Sequence, residues 1–246
     1  MRRCLLIFLV HTIAIGVITA AEPIDLVRLG MGQPLDPALT PALVDVADVA
    51  GLPRVLLIGD SISIGYTLRV RELLKGQANV HRPPENAGPT VYGLNRIDAW
   101  LGDGKWAVIH FNFGLHDLKY LDEKGTYVSP DEGRQLASVA DYEKNLEALV
   151  TRLQRTGARL IFATTTPVPA GTIGRVEHGE LPYNEAALRV MRAHGIAIDD
   201  LHAYVKVHQA EIQQPHNVHF TPAGYEVLAR EVATSISLVL KSAPSP

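Results

Sequence analysis

A serine and a histidine stand at positions that suit nucleophilic catalysis. Ser61 follows an apolar run at 55–58 and Gly59, a residue that lets the backbone turn tightly. The helix predicted after Ser61 presents free N–H groups at its start, which suit a developing oxyanion. His219 precedes the last predicted helix and is a suitable general base for a serine. Each residue alone is typical of a helix cap or a solvated side chain, so the prediction rests on the pair.

More polar side chains are predicted at the same edge of the sheet. Asn86 and Gly88 lie in the loop after the second predicted strand, and Asn112 and His116 follow the third. Because the carboxyl ends of parallel strands share one edge of a sheet, we expect these residues to lie near Ser61.

Short strands that alternate with amphipathic helices must position these residues. Continuous apolar runs such as 55–58 are typical of buried parallel strands. The last helix has a start signal, with Thr221 as N-cap and Pro222 at the first helical position. The alternation predicts an α/β fold with a parallel sheet of about five strands, covered by helices on both faces. The predicted strands lie at 55–58, 79–81, 107–111, 160–163 and 196–198.

Four blocks, taken in order along the chain, resemble those of the SGNH or GDSL hydrolases. The resemblance covers about residues 54–240. It implies a flavodoxin-like three-layer α/β/α fold and metal-free hydrolysis of acyl esters. The blocks are Gly59-Asp60-Ser61, Asn86-Ala87-Gly88, Gly114-Leu115-His116-Asp117 and the segment 218–224.

The resemblance also implies roles for individual residues. Ser61 is the nucleophile and His219 is the base. The backbone N–H groups of Ser61 and Gly88 are expected to stabilise the oxyanion. The third donor of the family is an asparagine in a Gly-x-Asn-Asp block, and this chain has His116 there. A ring N–H of His116 or the amide of Asn112 is the expected substitute.

The residue that orients the base departs from the family pattern. The family places an aspartate three residues before the histidine, where this chain has His216. We therefore predict that His216 orients His219. A neutral imidazole does not stabilise an imidazolium as a carboxylate does. Asp199 and Asp200, after the last predicted strand, are alternative carboxylates.

Two other classes of function stay open at this stage. The first is a catalytically weak or inactive relative that binds a glycan or an acyl ligand, which the missing aspartate favours. The second is a metallohydrolase in which His116, Asp117, His216 and His219 hold a metal ion. The esterase interpretation, in contrast, requires neither a metal nor a cofactor.

The first residues indicate export. Arg2 and Arg3 precede an apolar run at 5–18 and small residues at 19–21, which is typical of a secretory signal peptide. A secreted or periplasmic protein without stable membrane insertion after cleavage is expected. The stretch 118–138 is long and polar, as lids and inert surface loops both are. The predicted segments are a signal peptide at 1–21, a lead-in at 22–50, a catalytic domain at 51–241 and a frayed tail at 242–246.

Composition restricts the partners. A net charge of −3 without a Lys/Arg-rich run argues against nucleic acid. A small-molecule or carbohydrate ester is the expected substrate, with a short acyl group such as acetyl. The sequence does not specify an oligomeric state.

Overall fold

The computed structural model describes residues 24–32 and 37–242. The predicted signal peptide at 1–21 lies outside the described residues, as does the predicted tail from 243 onward.

Five parallel strands form the central sheet, in the order β2-β1-β3-β6-β7. The runs predicted as strands are the ones that pair, with shifts of a residue at some ends. Parallel strands covered on both faces must be apolar along their whole length, which the sequence of β1 shows. The strands are β1 (Arg54–Ile58), β2 (Asn79–His81), β3 (Val108–Phe111), β4 (Tyr120–Leu121), β5 (Arg134–Gln135), β6 (Arg159–Ala163) and β7 (Ala197–Asp199).

Helices cover both faces of this sheet. One layer packs α1, α5 and α6 together, and the other packs α2, α3 and α4. The predicted three-layer α/β/α fold is confirmed. No helix among the described residues is long and apolar enough to cross a membrane. The helices are α1 (Ser61–Leu73), α2 (Thr90–Leu101), α3 (Val139–Gln154), α4 (Glu180–Ala193), α5 (Leu201–Ile212) and α6 (Pro222–Lys241), with a 3₁₀ helix at Pro37–Leu43.

The stretch 118–138 and the lead-in both rest on this domain. Strands β4 and β5 pair as an antiparallel hairpin within 118–138. In the lead-in, Asp48 accepts a hydrogen bond from His81 at 2.7 Å, and the side chain of Asn79 bonds the backbone of Val49 in both directions. These contacts bring lead-in backbone to the edge of the sheet at β2.

Helices α1 and α6 approach each other closely at Gly65. A Cβ atom at this position would overlap the ring of Tyr225 on α6. The Tyr225 ring in turn packs edge-on against Phe220, with ring centroids 5.8 Å apart. Because Ser61 begins α1 and His219 precedes α6, this contact sets the separation of the two residues.

We predict that Gly65→Ala destabilises the fold although it replaces a helical glycine. Overlap with Tyr225 costs about 1–3 kcal/mol, which exceeds the gain in helix propensity of up to about 1 kcal/mol. Urea unfolding measures the difference. In a Tyr225→Ala background the same change should be neutral or stabilising. A stabilising effect in the wild-type background would contradict this packing.

Candidate active site

Ser61 is held at the start of α1 by the turn that leaves β1. Asp60 is the N-cap, and its carboxylate accepts the N–H of Ile62 at 2.9 Å. Gly59 is needed in this turn, since a Cβ there would lie 2.6 Å from the Cβ of Ser63. As the first helical residue, Ser61 keeps a backbone N–H that the helix does not use. The turn therefore presents a hydroxyl and a free N–H side by side.

His219 meets Ser61 from the other end of the fold. The Oγ of Ser61 lies 2.9 Å from Nε2 of His219, although 158 residues separate them in the chain. The loop before α6 is fixed by the buried side chain of Gln213, which donates to the carbonyls of Pro167 and Val218 at 2.9 and 3.1 Å. The two residues singled out in the sequence are brought together.

Asn217 orients the imidazole of His219. Its Oδ1 lies 2.8 Å from Nδ1 of His219 and also accepts the backbone N–H of His219 at 3.0 Å. An amide oxygen only accepts hydrogen bonds, so Nδ1 carries the proton. The lone pair of Nε2 then faces the hydroxyl of Ser61. This is the tautomer that a general base requires.

The prediction that His216 orients His219 is corrected. His216 has a positive φ of 55°, which turns its exposed side chain away from His219 toward the rim of the cleft. There its Nδ1 lies 2.8 Å from the carbonyl oxygen of Ala170. The residue two positions before the base, Asn217, occupies the orienting place instead.

The two alternative carboxylates are also used elsewhere. Asp199 is buried beside His110, with 2.9 Å between its carboxylate and Nε2 of that ring. Asp200 is the N-cap of α5, and its carboxylate accepts the hydroxyl of Thr164 at 2.9 Å. Neither aspartate has a hydrogen bond to His219.

Two of the predicted oxyanion donors donate to other acceptors, and neither Gly88 nor Asn112 lines the cleft at Ser61. The N–H of Gly88 donates to Oδ1 of Asn86 at 2.8 Å, because the loop turns back on itself there. The amide of Asn112 donates at 2.8 Å to the carbonyl of Ala163 on the neighbouring strand β6. These expectations from the sequence are corrected.

Asn86 lies at the edge of the cleft. Its side chain lines the cleft, and its Oδ1 is occupied by the N–H of Gly88. Because the side-chain oxygen of Asn86 accepts this backbone N–H, the orientation of the amide is fixed. Its nitrogen is therefore available to donate a hydrogen bond.

His116 lines the same cleft, as the block 114–117 suggested. Its Nδ1 lies 3.0 Å from Nζ of Lys119, and its Nε2 has no partner within the described part of the chain. Burial, followed by the nearby charge of Lys119, lowers the pKa of His116 well below its ordinary value. The ring is therefore neutral, and one of its nitrogens is available to donate.

Lys119 is completely buried behind His116. Its Nζ also lies 3.4 Å from both the carbonyl oxygen of Gly30 and the hydroxyl of Tyr127. Burial lowers the pKa of Lys119 to about 7. An ammonium group has three donors, and three acceptors surround this one. Nδ1 of His116 is then an acceptor, and Nε2 carries the proton.

The residues suggested for a metal do not converge. Asp117 is buried and accepts the N–H of Thr90 at 3.0 Å, and burial raises the pKa of Asp117 to about 7. His116 faces a lysine ammonium. Across residues 24–32 and 37–242, no group of three or more His, Cys, Asp or Glu side chains is placed to hold a metal ion.

A cleft of about 510 Å³ surrounds these groups, which is a size suited to a small ligand. Arg175 lies on its wall, and the exposed side chain of Ile173 lies at its rim. The loop 164–169 after β6 does not line it. Sequence reasoning missed Asn217, Lys119 and Arg175. The sequence held a weak signal for two of these three residues. Asn217 lies two positions before the base, and Lys119 lies three positions after His116.

Comparisons with solved structures place this fold among ester hydrolases. A lipase/acylhydrolase from Enterococcus faecalis has a TM-score of 0.62 and 21% identity, over 79% of this chain and 100% of that one. The acetyl xylan esterase AlAXEase has a TM-score of 0.61 and 16% identity, over 74% and 99%. The acetylxylan esterase Axe2 from Geobacillus stearothermophilus has a TM-score of 0.60 and 18% identity, over 75% and 94%. A search of curated protein sequences returned no match.

The class of protein follows from the fold and the family comparison, and it is the carboxylic ester hydrolases. More narrowly, the chain belongs to the GDSL-like lipase/acylhydrolase family, whose sequence profile matches residues 57–227. The resemblance stated from the sequence blocks is confirmed.

We predict that Asn217→Asp raises kcat. The amide already selects the productive tautomer, so the substitution adds a charge that stabilises the imidazolium, at the loss of the 3.3 Å hydrogen bond from Nδ2 of Asn217 to Oε1 of Gln214. A gain of about tenfold to a hundredfold is expected, within the roughly 10⁴-fold range that such carboxylates control. Hydrolysis of 4-nitrophenyl acetate measures it. His216→Asp is the matched control and should change kcat little; the reverse pattern would return the orienting role to position 216.

Proposed function

We propose that this protein is a secreted serine esterase that removes short acyl groups, chiefly O-acetyl groups of carbohydrates. Ser61 is the nucleophile and His219 is the general base. The observation that carries the proposal is the 2.9 Å contact between the Ser61 hydroxyl and Nε2 of His219. Asn217 holds the ring so that this nitrogen accepts the proton.

The reaction follows from the positions of these groups. Oγ of Ser61 attacks the ester carbonyl carbon while its proton passes to Nε2 of His219. The tetrahedral intermediate expels the alcohol, which takes the proton from His219 and leaves an acyl-serine. Water then attacks the acyl carbon while it gives a proton to Nε2 of His219. The second tetrahedral intermediate releases the acid as His219 returns this proton to Oγ of Ser61. No metal or cofactor is needed in any of these steps.

Three N–H groups are assigned to the oxyanion. They are the backbone N–H of Ser61, the side-chain amide of Asn86 and the Nε2–H of His116. Asn86 takes the place of Gly88, and His116 is one of the two side chains expected as the third donor, so the number of donors is the one that the family resemblance implied. Each such donor contributes about 2.7–4 kcal/mol of barrier lowering. Lys119 acts as a positioning residue, because its ammonium group selects the Nε2–H tautomer of His116.

The acyl group and the compartment are inferred from the structurally similar proteins and from the first residues of the chain. Two of the structurally similar proteins are described as acetyl xylan esterases, which favours acetyl groups on a carbohydrate. The arginines and the apolar run at the start of the chain favour export to the periplasm or the medium. Small-molecule or carbohydrate esters are accordingly the proposed substrates.

A second candidate function is suggested by the neutral Asn217. Because the side chain that orients the imidazole is an uncharged amide, the alternative is a protein of this fold that binds a glycan or an acyl ligand and turns it over weakly. Turnover of an ester separates the two functions.

We predict that a fluorophosphonate probe labels Ser61 and abolishes ester hydrolysis. Ser61→Ala should remove both labelling and activity, whereas Ser129→Ala, an exposed serine, should change neither. Peptide mapping by mass spectrometry locates the label.

Acetyl esters should be preferred over octanoyl esters, and EDTA should leave the rate unchanged. If the protein neither hydrolyses an ester nor is labelled by the probe, the binding protein becomes the better interpretation. If EDTA abolishes hydrolysis and zinc restores it, the metallohydrolase does.

We also predict that His116 and Lys119 act together. His116→Leu should lower kcat by about 10²- to 10³-fold, whereas His116→Asn keeps a donor and should lose less. Lys119→Met should lower kcat by a smaller factor without a matching change in KM. Because the ammonium form exists below a pKa of about 7, kcat of the wild type should fall as pH rises through this value.

The pH profile provides the control for this pair. Lys119→Met should lose the alkaline decrease while it keeps the acid one, because the acid decrease belongs to the general base. Circular dichroism excludes a folding defect. An alkaline decrease that persists unchanged in Lys119→Met would contradict the proposed role.

A further inference from the structure

Arg175 is a cation on the wall of the cleft, and no acidic side chain of the described residues forms an ion pair with it. It lines the same cleft as Ser61 and His219. Within residues 24–32 and 37–242 its side chain forms one hydrogen bond and no ion pair. Seven other arginines of the described residues form an ion pair with a carboxylate, as Arg96 does with Glu85 at 2.9 Å. Arg175 is the arginine among the described residues that line this cleft, so its free N–H donors face the space where a substrate would bind.

The guanidinium group is held in place from two sides. Its Nε donates to the carbonyl oxygen of Leu115 at 3.0 Å. The group also lies over the ring of Tyr127, 5.3 Å from the ring centroid. Among the described residues, no acceptor bonds the two terminal nitrogens, which carry four N–H donors. A fixed fork of this kind matches a carboxylate in two parallel hydrogen bonds.

The surroundings of the fork are positive. Lys119 lies under the same Tyr127 ring, with its Nζ 5.2 Å from the centroid. Among the described residues that line the cleft, Asp60 is the one carboxylate, and it is buried and caps α1. A half-buried cation beside other positive groups is unfavourable without a counter-ion, because burial removes part of its solvation.

We propose that Arg175 binds a carboxylate of the substrate, so that the ester cleaved at Ser61 belongs to an acidic molecule. This inference rests on the proposed esterase function and specifies its substrate class. An O-acetylated uronic acid oligosaccharide carries the carboxylate on the alcohol side of the ester. A half-ester of a dicarboxylic acid carries it on the acyl side. The shared chemistry is a carboxylate within reach of the scissile ester.

Matched substrates test the proposal. We expect a higher kcat/KM for O-acetylated oligogalacturonides than for O-acetylated xylooligosaccharides, which lack carboxylates. The preference should shrink as salt is added, because screening weakens the charge attraction. For the acyl side, 4-nitrophenyl hydrogen adipate is compared with 4-nitrophenyl hexanoate. Whichever pair shows the preference identifies the side that carries the carboxylate.

Variants of Arg175 provide the second part of the test. Arg175→Gln should lower kcat/KM for the acidic substrate by about ten- to a hundredfold and bring the preference close to one. Arg175→Lys keeps the charge but loses the paired N–H groups, so its kcat/KM for the acidic substrate should lie between those of the wild type and Arg175→Gln. Arg192→Gln, an exposed arginine on α4, is the matched control and should leave the preference unchanged.

Binding to inactive protein separates this inference from the esterase proposal. Calorimetry with Ser61→Ala should show that unacetylated oligogalacturonide binds, that its methyl-esterified form binds at least tenfold more weakly, and that Arg175→Gln removes the difference. The role of Arg175 would be overturned if Arg175→Gln lowered kcat/KM equally for the acidic and the neutral substrate. It would also be overturned if oligogalacturonide and its methyl-esterified form bound equally well. Absent turnover together with intact charge-dependent binding would overturn only the esterase function.

Discussion

The hydrogen bond between Ser61 and His219 is the interaction on which the site depends. The two residues come from opposite ends of the domain, so neither local sequence nor a shared loop holds them together. Their separation is set by the packing of α1 on α6, where Gly65 allows the ring of Tyr225 to approach closely. Capping then fixes each helix start, with Asp60 at α1 and the hydroxyl of Thr221, which accepts a backbone N–H, at α6. The packing of α1 on α6 thus sets the distance between the two reacting atoms, Oγ of Ser61 and Nε2 of His219.

The orientation of the base and its charge stabilisation are separated in this chain. Asn217 supplies orientation through its amide oxygen but has no charge to offer an imidazolium. The carboxylate of Asp60 lies in the cleft lining and interacts electrostatically with His219 and Arg175. Burial raises the pKa of Asp60, whereas the charge of Arg175, and that of His219 once it is protonated, acts in the opposite direction. An aspartate that caps the nucleophile helix therefore also contributes negative charge near the base.

Patterns that depend on local sequence were sufficient to predict the fold and the central pair. Buried parallel strands read as apolar runs, and the Thr221-Pro222 start of α6 is a short-range signal. The partner of His219 was not predictable in this way. A family spacing pointed to His216, but the choice between adjacent side chains depends on the backbone angle of 55° at that position. The same applies to Asn112, whose amide reaches a carbonyl on a strand that is distant in sequence.

The least predictable part is the polar group around Lys119, because three segments build it. The lead-in contributes the carbonyl of Gly30, the hairpin region contributes Tyr127, and the loop after β3 contributes His116. A buried ammonium is stable only when all its donors are satisfied, so this lysine ties the three segments to one geometry. The ring of Tyr127 is then shared by Lys119 and Arg175. An anion held by Arg175 would offset the repulsion between these two cations, which links recognition of an acidic substrate to the donor beside the nucleophile.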